Sequence, residues 1–313
     1  MAPRALPPRR QFAVTRLVVL GLGLLAPAVC FGQALDGPRA WLPFEEGPND
    51  VAGAYVHRFG DISPSGTLVK PGTSYETDLV VASYARSFPM SSLFFGLAGI
   101  SAPVGITNAT GTVFGEQQAS KSSGLGDLEL SFAAGMQPQR DLAAGPWSPA
   151  FTLLAQLAVT APTGAYESDQ LANLGDNRFG IRTSMPFTLS FGAVGKQTTF
   201  ELVPAMTIFT DNNHPLEGET MSQSALGRLE THATQDVFEW LWIAADAVYL
   251  LGGETWIDGL GQGNQLNTFS LGGTVVLQPL RFLRFEGSYA HHFFHATDGG
   301  QGGALRLRAT AEF

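Results

Sequence analysis

The last ten residues of the chain, 304–313, alternate between apolar and polar side chains. Leucine, alanine and phenylalanine occupy the odd positions from Leu305 to Phe313, while Arg306, Arg308 and Glu312 fall at even positions. A strand with this pattern cannot lie in a soluble core, because unpaired buried charges cost several kcal/mol. It is typical of a membrane β-barrel, whose strands face lipid on one side and a wet lumen on the other. We expect a strand in outer-membrane lipid, with Phe313 as the address that the bacterial barrel-assembly machinery reads.

The opposite end of the chain has the pattern of a secretory signal peptide. A basic stretch with four arginines precedes an apolar run at 17–30, which is shorter than the ~20 residues that a spanning helix needs. We assign residues 1–32 to a cleaved signal peptide, 33–48 to a periplasmic N-terminal segment and 49–313 to an outer-membrane barrel. Cleavage after Ala34 or at Cys30, the latter as in a lipoprotein, are alternatives.

Composition narrows the class of the mature chain. Cleavage removes the single cysteine, so no disulfide or thiol chemistry is expected. Loss of the four leader arginines takes the net charge from −9 to about −13, which argues against a nucleic-acid partner. No later stretch is apolar for ~18 residues, so no helical span is expected. About 280 residues are enough for two soluble domains or for one closed barrel.

Short segments with strand-like alternation repeat along the whole mature chain. They predict an all-β fold, a single closed antiparallel transmembrane barrel of about 12 strands, an even number as in bacterial single-chain barrels. Pro186 interrupts the sixth strand, because proline cannot donate to the ladder. The predicted strands are 49–58, 74–87, 91–103, 122–136, 149–161, 178–192, 197–210, 222–234, 239–251, 267–278, 283–294 and 304–313.

The connections between these segments alternate between long and short. Long extracellular loops and short periplasmic turns are expected of such barrels. The inner connection at 137–148 is the exception, being long. The predicted outer loops are 59–73, 104–121, 162–177, 211–221, 252–266 and 295–303, and the predicted tight turns are 89–90, 193–196, 235–238 and 279–282. This alternation favours one barrel over two soluble domains.

Charged side chains recur on one face of the predicted strands, which we assign to the lumen. Opposite charges on this face are expected to pair. The candidate lumen-lining residues are Asp127, Glu129, Arg228, Glu230, Asp246, Arg284, Glu286, His292, Arg306 and Arg308.

Eight segments with recognisable motifs follow one another along the mature chain: 35–41, 84–88, 124–127, 160–166, 173–179, 209–213, 252–253 and 258–259. Together they resemble the meta-pathway (MetA) phenol-degradation family of bacterial outer-membrane proteins. Phe179 departs from that family, which usually has Trp there, and the loop 104–121 is also unlike it. The resemblance implies an outer-membrane barrel that handles aromatic or other hydrophobic compounds, and it brings no catalytic residues.

These observations leave three functional hypotheses. The favoured one is a channel for uptake or efflux of small hydrophobic or aromatic solutes, without cofactor, metal or enzymatic activity. The second is a barrel plugged by its own side chains that acts as an anchor or assembly platform. The third and weakest is an outer-membrane lipid hydrolase, which needs a serine and a histidine held together.

Two clusters admit a metal, and for each we favour a reading without one. His291 and His292 point to opposite faces of a strand and so cannot easily share an ion. Asp211, Asn212 and Asn213 lack the spaced acids of a calcium loop and suit turn geometry. For residues 173–178 we favour a turn, with contact to a ligand at the mouth as the alternative.

Overall fold

A computed structural model describes most of the mature chain. The described residues are 37–42, 48–61, 74–113, 116–138, 149–193, 195–216, 218–295 and 302–313. The predicted signal peptide, 1–32, lies outside them. In the described part of the chain, no helix is long and apolar enough to span a membrane.

Strands make up nearly all of the regular structure. In chain order they are β1 (Asn49–Gly60), β2 (Ser74–Pro89), β3 (Phe94–Val113), β4 (Glu116–Leu125), β5 (Leu128–Met136), β6 (Ala150–Ala161), β7 (Gly180–Ser184), β8 (Phe187–Phe191), β9 (Thr198–Phe209), β10 (Met221–Gln223), β11 (Leu226–Phe238), β12 (Leu241–Gly252), β13 (Thr255–Ile257), β14 (Leu260–Gly261), β15 (Leu266–Leu280), β16 (Leu283–His295) and β17 (Gly302–Glu312).

These strands close into one antiparallel barrel with twelve strand positions. Neighbours along the chain pair with each other, and β1 pairs with β17 from Asp50↔Glu312 to Gly60↔Gly302. The backbone of Phe313 exchanges hydrogen bonds of 2.9 and 3.1 Å with that of Asn49. Closure removes every free sheet edge from the barrel wall. The predicted all-β barrel of about 12 strands is confirmed.

Two of the twelve positions are held by interrupted strands. β4 and β5 are separated by Gly126 and Asp127, and β7 and β8 by Met185 and Pro186. β7 and β8 pair with β9 in one continuous register, so the gap is not a bulge. Pro186 has no N–H to give to the ladder, which explains the interruption that its position in the sequence predicted.

The predicted outer loop 104–121 is wrong. β3 continues to Val113 and pairs with β4, from Val104↔Leu125 to Val113↔Glu116, so the sheet extends beyond the barrel wall as a hairpin. The segment contains β-branched residues that favour a strand despite its polarity. A smaller sheet of β10, β13 and β14 lies within the predicted loops 211–221 and 252–266.

The two faces of the barrel wall have opposite character. Apolar side chains such as Phe132 and Leu307, 59% and 50% exposed, cover the outer surface, where hydrocarbon would contact them. The interior is rich in buried threonines and charged groups. Turns at 239–240 and 281–282 are tight, which marks that end as periplasmic. The interior is therefore the place to look for a functional site.

Candidate functional site in the barrel lumen

Part of the segment before the first strand, residues 37–42, lies inside the barrel. Residues 37–42, which belong to the predicted periplasmic segment, form a turn with a hydrogen bond from Ala40 N to Gly37 O. Trp41 is only 6% exposed and packs with Phe95, Leu97, Leu154 and Val203, which project inward from β3, β6 and β9. Nothing in the sequence pattern indicated this position, because a short aperiodic segment carries no signal for its tertiary contacts.

Arg39 ties this segment to the wall. Its backbone N donates to Glu201 Oε2 at 2.7 Å, and its Nε donates to Thr234 Oγ1 at 3.0 Å. The guanidinium lies 2.8 Å from Asp236 Oδ1 and stacks over the Trp242 ring, 4.6 Å from the ring centre. One residue thus bonds to β9, β11 and β12 together, so the segment has a defined docked position.

Six charged side chains pair in the periplasmic half of the lumen. Arg284 approaches Asp50 at 3.8 Å and Glu312 at 3.6 Å, and Arg308 approaches Asp50 at 3.8 Å. Arg306 donates to Glu286. Three arginines face three carboxylates, so the wall here carries mixed signs and not a ring of one sign.

A second group of paired charges lies on β11, β12 and β15. Arg228 pairs with Glu230, and the His232 ring bridges Glu230 and Asp246 at 3.3 and 2.6 Å. Thr274 donates to the second oxygen of Asp246 at 2.6 Å. On the opposite wall, Arg182 of β7 donates to Glu129 of β5 at 3.3 Å. Sequence alternation had singled out most of these groups and had placed His232 on the same face as Arg228 and Glu230, but it missed Arg182 as a partner.

His292 faces the interior, and its Nδ1 lies 2.6 Å from Ser270 Oγ. His291 lies near the Tyr289 hydroxyl, 3.5 Å away, on the other face of β16. The expectation that the two adjacent histidines do not share an ion agrees with this arrangement. Serine and histidine alone do not make a hydrolase, since the histidine also needs an orienting polar partner.

Asp127 lies at the outer mouth, between β4 and β5. Its Oδ1 accepts from Gly164 N at 2.8 Å and its Oδ2 from Asp176 N at 2.7 Å, so one carboxylate holds both arms of the loop 162–177. Gly164 and Gly175 are glycines because their backbones touch, and a side chain on either would collide with the other. Burial, and then the nearby Asp176, raise the pKa of Asp127 to about 7, against the lowering effect of these backbone donors.

The loop held by Asp127 folds into the barrel mouth. Leu174 is buried against Leu79, with Val56 and Val104 beside it, and these are inward side chains of β1, β2 and β3. Asn177 has a left-handed backbone, φ 53°, which fits the turn reading of this stretch. The loop therefore occupies part of the outer opening from the inside.

Arg178 supports the base of that loop. It donates to Gln223, and its guanidinium stacks over the Phe209 ring at 4.5 Å. Burial lowers the pKa of Arg178, and nearby acids, Asp176 first, counteract it. Burial likewise raises the pKa of Tyr166, whose hydroxyl accepts from Asn212 Nδ2 at 2.8 Å. These contacts make the mouth an ordered structure.

Two cavities remain between the N-terminal segment and the wall. The larger, of about 280 Å³, lies in the periplasmic half beside Trp41, Leu97 and Ala133. The smaller, of about 70 Å³, lies beyond Gly37 and Pro38, toward the outer half. Residues that line both cavities are Val56, Val81, Ser101 and Arg306. The cavities are therefore adjacent, and the N-terminal segment lies against both.

A known protein family matches most of the chain. Residues 56–309 match the family described as "Putative MetA-pathway of phenol degradation". The chain belongs to this family. The resemblance stated from the sequence motifs is therefore confirmed, and three of those motifs, 124–127, 160–166 and 173–179, meet at Asp127 in the outer mouth.

Solved outer-membrane proteins resemble the chain to different degrees. The COG4313 outer membrane channel from Pseudomonas putida F1 is 19% identical, with a TM-score of 0.73, and the match covers 88% of this chain and 99% of that one. The translocator domain of the autotransporter NalP from Neisseria meningitidis is 11% identical, with a TM-score of 0.43, covering 86% and 90%. No curated protein matches the chain. The first likeness shows that the fold is that of an outer-membrane β-barrel.

Proposed function

We propose that the protein is an outer-membrane channel for uptake or efflux of small hydrophobic or aromatic compounds, and not an enzyme. The observation that carries the proposal is the cavity of about 280 Å³ beside Trp41, Leu97 and Ala133. An apolar cavity of about 150 Å³ accommodates a benzene molecule. The volume therefore suits one small aromatic molecule together with some water.

The electrostatics of the wall favour a weakly polar solute. A ring of charges of one sign selects ions. Here the arginines of β16 and β17 stand beside Asp50, Glu286 and Glu312, so their fields cancel at short range. We infer that the ten candidate lumen-lining residues predicted from the sequence, among them Asp127 and Arg308, form this lining of mixed charge. The family description, which refers to phenol degradation, supports the same class of solute.

The partners of this channel follow from its surfaces. We propose outer-membrane lipid against the apolar outer face, export by a cleaved signal peptide, and recognition by the barrel-assembly machinery through Phe313. The solute is expected to enter past the loop 162–177.

A second function is favoured by one specific observation. The N-terminal segment and the loop 162–177 both occupy the lumen, through Trp41 and Leu174. A barrel filled in this way suits a membrane anchor or assembly platform, which has no need of a path. Solute passage distinguishes the two functions.

The test compares two neighbouring alanines of β5. Ala133 lines the large cavity, whereas Ala134 is exposed on the outer surface. We expect Ala133→Phe to lower the uptake of a radiolabelled monoaromatic by intact Gram-negative cells several-fold, and Ala134→Phe to leave it unchanged. Heat-modifiable gel migration checks that both variants are folded. Uptake in wild-type cells no faster than in cells without the protein would refute the channel and favour the anchor.

A further inference from the structure

Three metal-ligating side chains meet on the outer surface of the barrel, away from the lumen. They are His57 of β1 with Glu76 and Asp78 of β2, and their ligand atoms all lie within 4.8 Å of one another. The antiparallel register creates the cluster, since His57 lies directly opposite Asp78, and Glu76 follows two residues away on the same face.

The cluster lies near the outer end of the strand pair. β1 ends at Gly60 and β2 begins at Ser74, so the three residues fall within a few positions of the extracellular rim. Tyr55 and Phe59, both 39% exposed, flank His57 on the same outward face. Aromatic residues of this kind form the interfacial girdles of barrels. The cluster thus lies where the wall meets the aqueous side of the membrane.

A supporting contact orients one of the three groups. The Tyr55 hydroxyl donates to Asp78 Oδ1 at 2.6 Å, and His57 Nδ1 lies 2.9 Å from the same oxygen. Hydrogen bonds of this kind orient the ligands of metal sites. Among the residues that the structure describes, none donates a hydrogen bond to the Glu76 carboxylate. β2 thus carries two neighbouring carboxylates, those of Glu76 and Asp78, and the imidazole of His57 on β1 faces them.

This set of donors is one that binds transition metals. Imidazole suits zinc and its neighbours, and Zn²⁺ also accepts carboxylate oxygens. Ligand atoms at about 2.1 Å from zinc in a tetrahedron lie about 3.4 Å apart. The three side chains are partly exposed, so small rotations can bring their ligand atoms from the present spacing to about 3.4 Å. A divalent ion would also offset the repulsion between Glu76 and Asp78.

We propose that His57, Glu76 and Asp78 form a divalent transition-metal site on the outer rim of the barrel. The ion has three protein ligands and at least one position open to the outside. It cross-links β1 to β2 beside the seam where β1 meets β17. The sequence pattern predicted no metal, because spacing along the chain does not show which residues face each other across two strands.

The test is Zn²⁺ titration of the mature, untagged protein refolded in detergent, followed by calorimetry. We expect one saturable site per chain, weakened at least tenfold by His57→Gln, by Asp78→Asn and by Glu76→Gln. The control is His214→Gln, a change of an exposed loop histidine that we expect to leave binding unchanged. At a hundredfold excess over the dissociation constant, Zn²⁺ should raise the unfolding temperature by about 5 °C.

Cobalt supplies a spectroscopic readout of the same site. Co²⁺ bound to wild type should show the visible absorption of a low-coordinate complex, and His57→Gln should abolish it. Glu76→Gln changes the most exposed of the three residues, so it serves if another variant does not fold. Absence of saturable Zn²⁺ binding, or binding that all three substitutions leave intact, would overturn the proposal.

Discussion

Replacing Trp41 by alanine should release the N-terminal segment from the lumen. The indole is almost fully buried against Phe95, Leu97, Leu154 and Val203, so the substitution removes the largest apolar contact of the segment. The segment lies outside the twelve strand positions. We therefore expect the barrel itself to remain folded.

The magnitude follows from the buried area. A buried tryptophan hides about 150–250 Å², which at about 25 cal/mol per Å² is about 4–6 kcal/mol. Measured losses for aromatic-to-alanine changes in cores are about 3–5 kcal/mol. Arg39 keeps its own contacts and water can enter the emptied space, so the lower value applies. A loss of about 3 kcal/mol lowers the docking equilibrium constant about 150-fold.

Single-channel recording in a planar bilayer measures this change. Trp41→Ala should open more often and conduct more ions than wild type. The control is Trp240→Ala, since Trp240 is 51% exposed in the periplasmic turn 239–240, outside the contacts that hold Trp41. Unchanged conductance in a folded Trp41→Ala barrel, or an equal increase in the control, would refute the idea that the docked segment limits passage.

Three further predictions concern the wall, the mouth and the end of the chain. Leu307→Arg places a charge against hydrocarbon and should lower the stability of the barrel by about 2–4 kcal/mol near the midplane. Arg308→Leu should instead alter ion selectivity, with a smaller loss of folded barrel. Equal urea unfolding midpoints for the two variants would contradict these face assignments. Burial raises the pKa of Asp127 in the docked loop to about 7 from an ordinary value of 3.8, so docking is strongest below about pH 4 and weakens as the pH rises from there to about 7. A fluorophore on a cysteine introduced at position 170 should report this opening, and Asp127→Asn should remove its pH dependence; a flat wild-type profile would be contrary evidence. Deletion of Phe313 should slow assembly in cells, measured by the appearance of heat-modifiable protein, and an unchanged rate would exclude its role as an address.

The alternation of side chains predicted most of the strands of the barrel wall. Alternation with a period of two placed nine of the twelve strand positions within three residues of both observed ends, because one face meets lipid along the whole strand. The eighth strand was predicted at 222–234 and is β11, Leu226–Phe238. Polar residues continue the alternation beyond both ends of this strand, so the pattern did not define where it begins and ends.

The contents of the lumen were beyond such reasoning. Alternation says that Glu286 and Arg306 face inward, but their pairing depends on the register between β16 and β17, which is set by the turn and by closure. The docked position of Trp41 depends on contacts with three strands far away in sequence. The cluster at His57 depends on register in the same way. The alternating pattern predicted which side chains face inward. Closure of the barrel determined which of them pair.

The two obstructions in the lumen act in series. Trp41 closes the periplasmic half through apolar burial, whereas Asp127 closes the outer mouth through hydrogen bonds to the loop 162–177. The contacts that hold the two obstructions are different, so a substitution at one is not expected to release the other. The larger cavity lies beside Trp41 and reaches residues of the periplasmic end, Asp50, Gln278 and Glu312. A solute that crosses the barrel therefore has to pass both obstructions, and Trp41→Ala should relieve only the first of them.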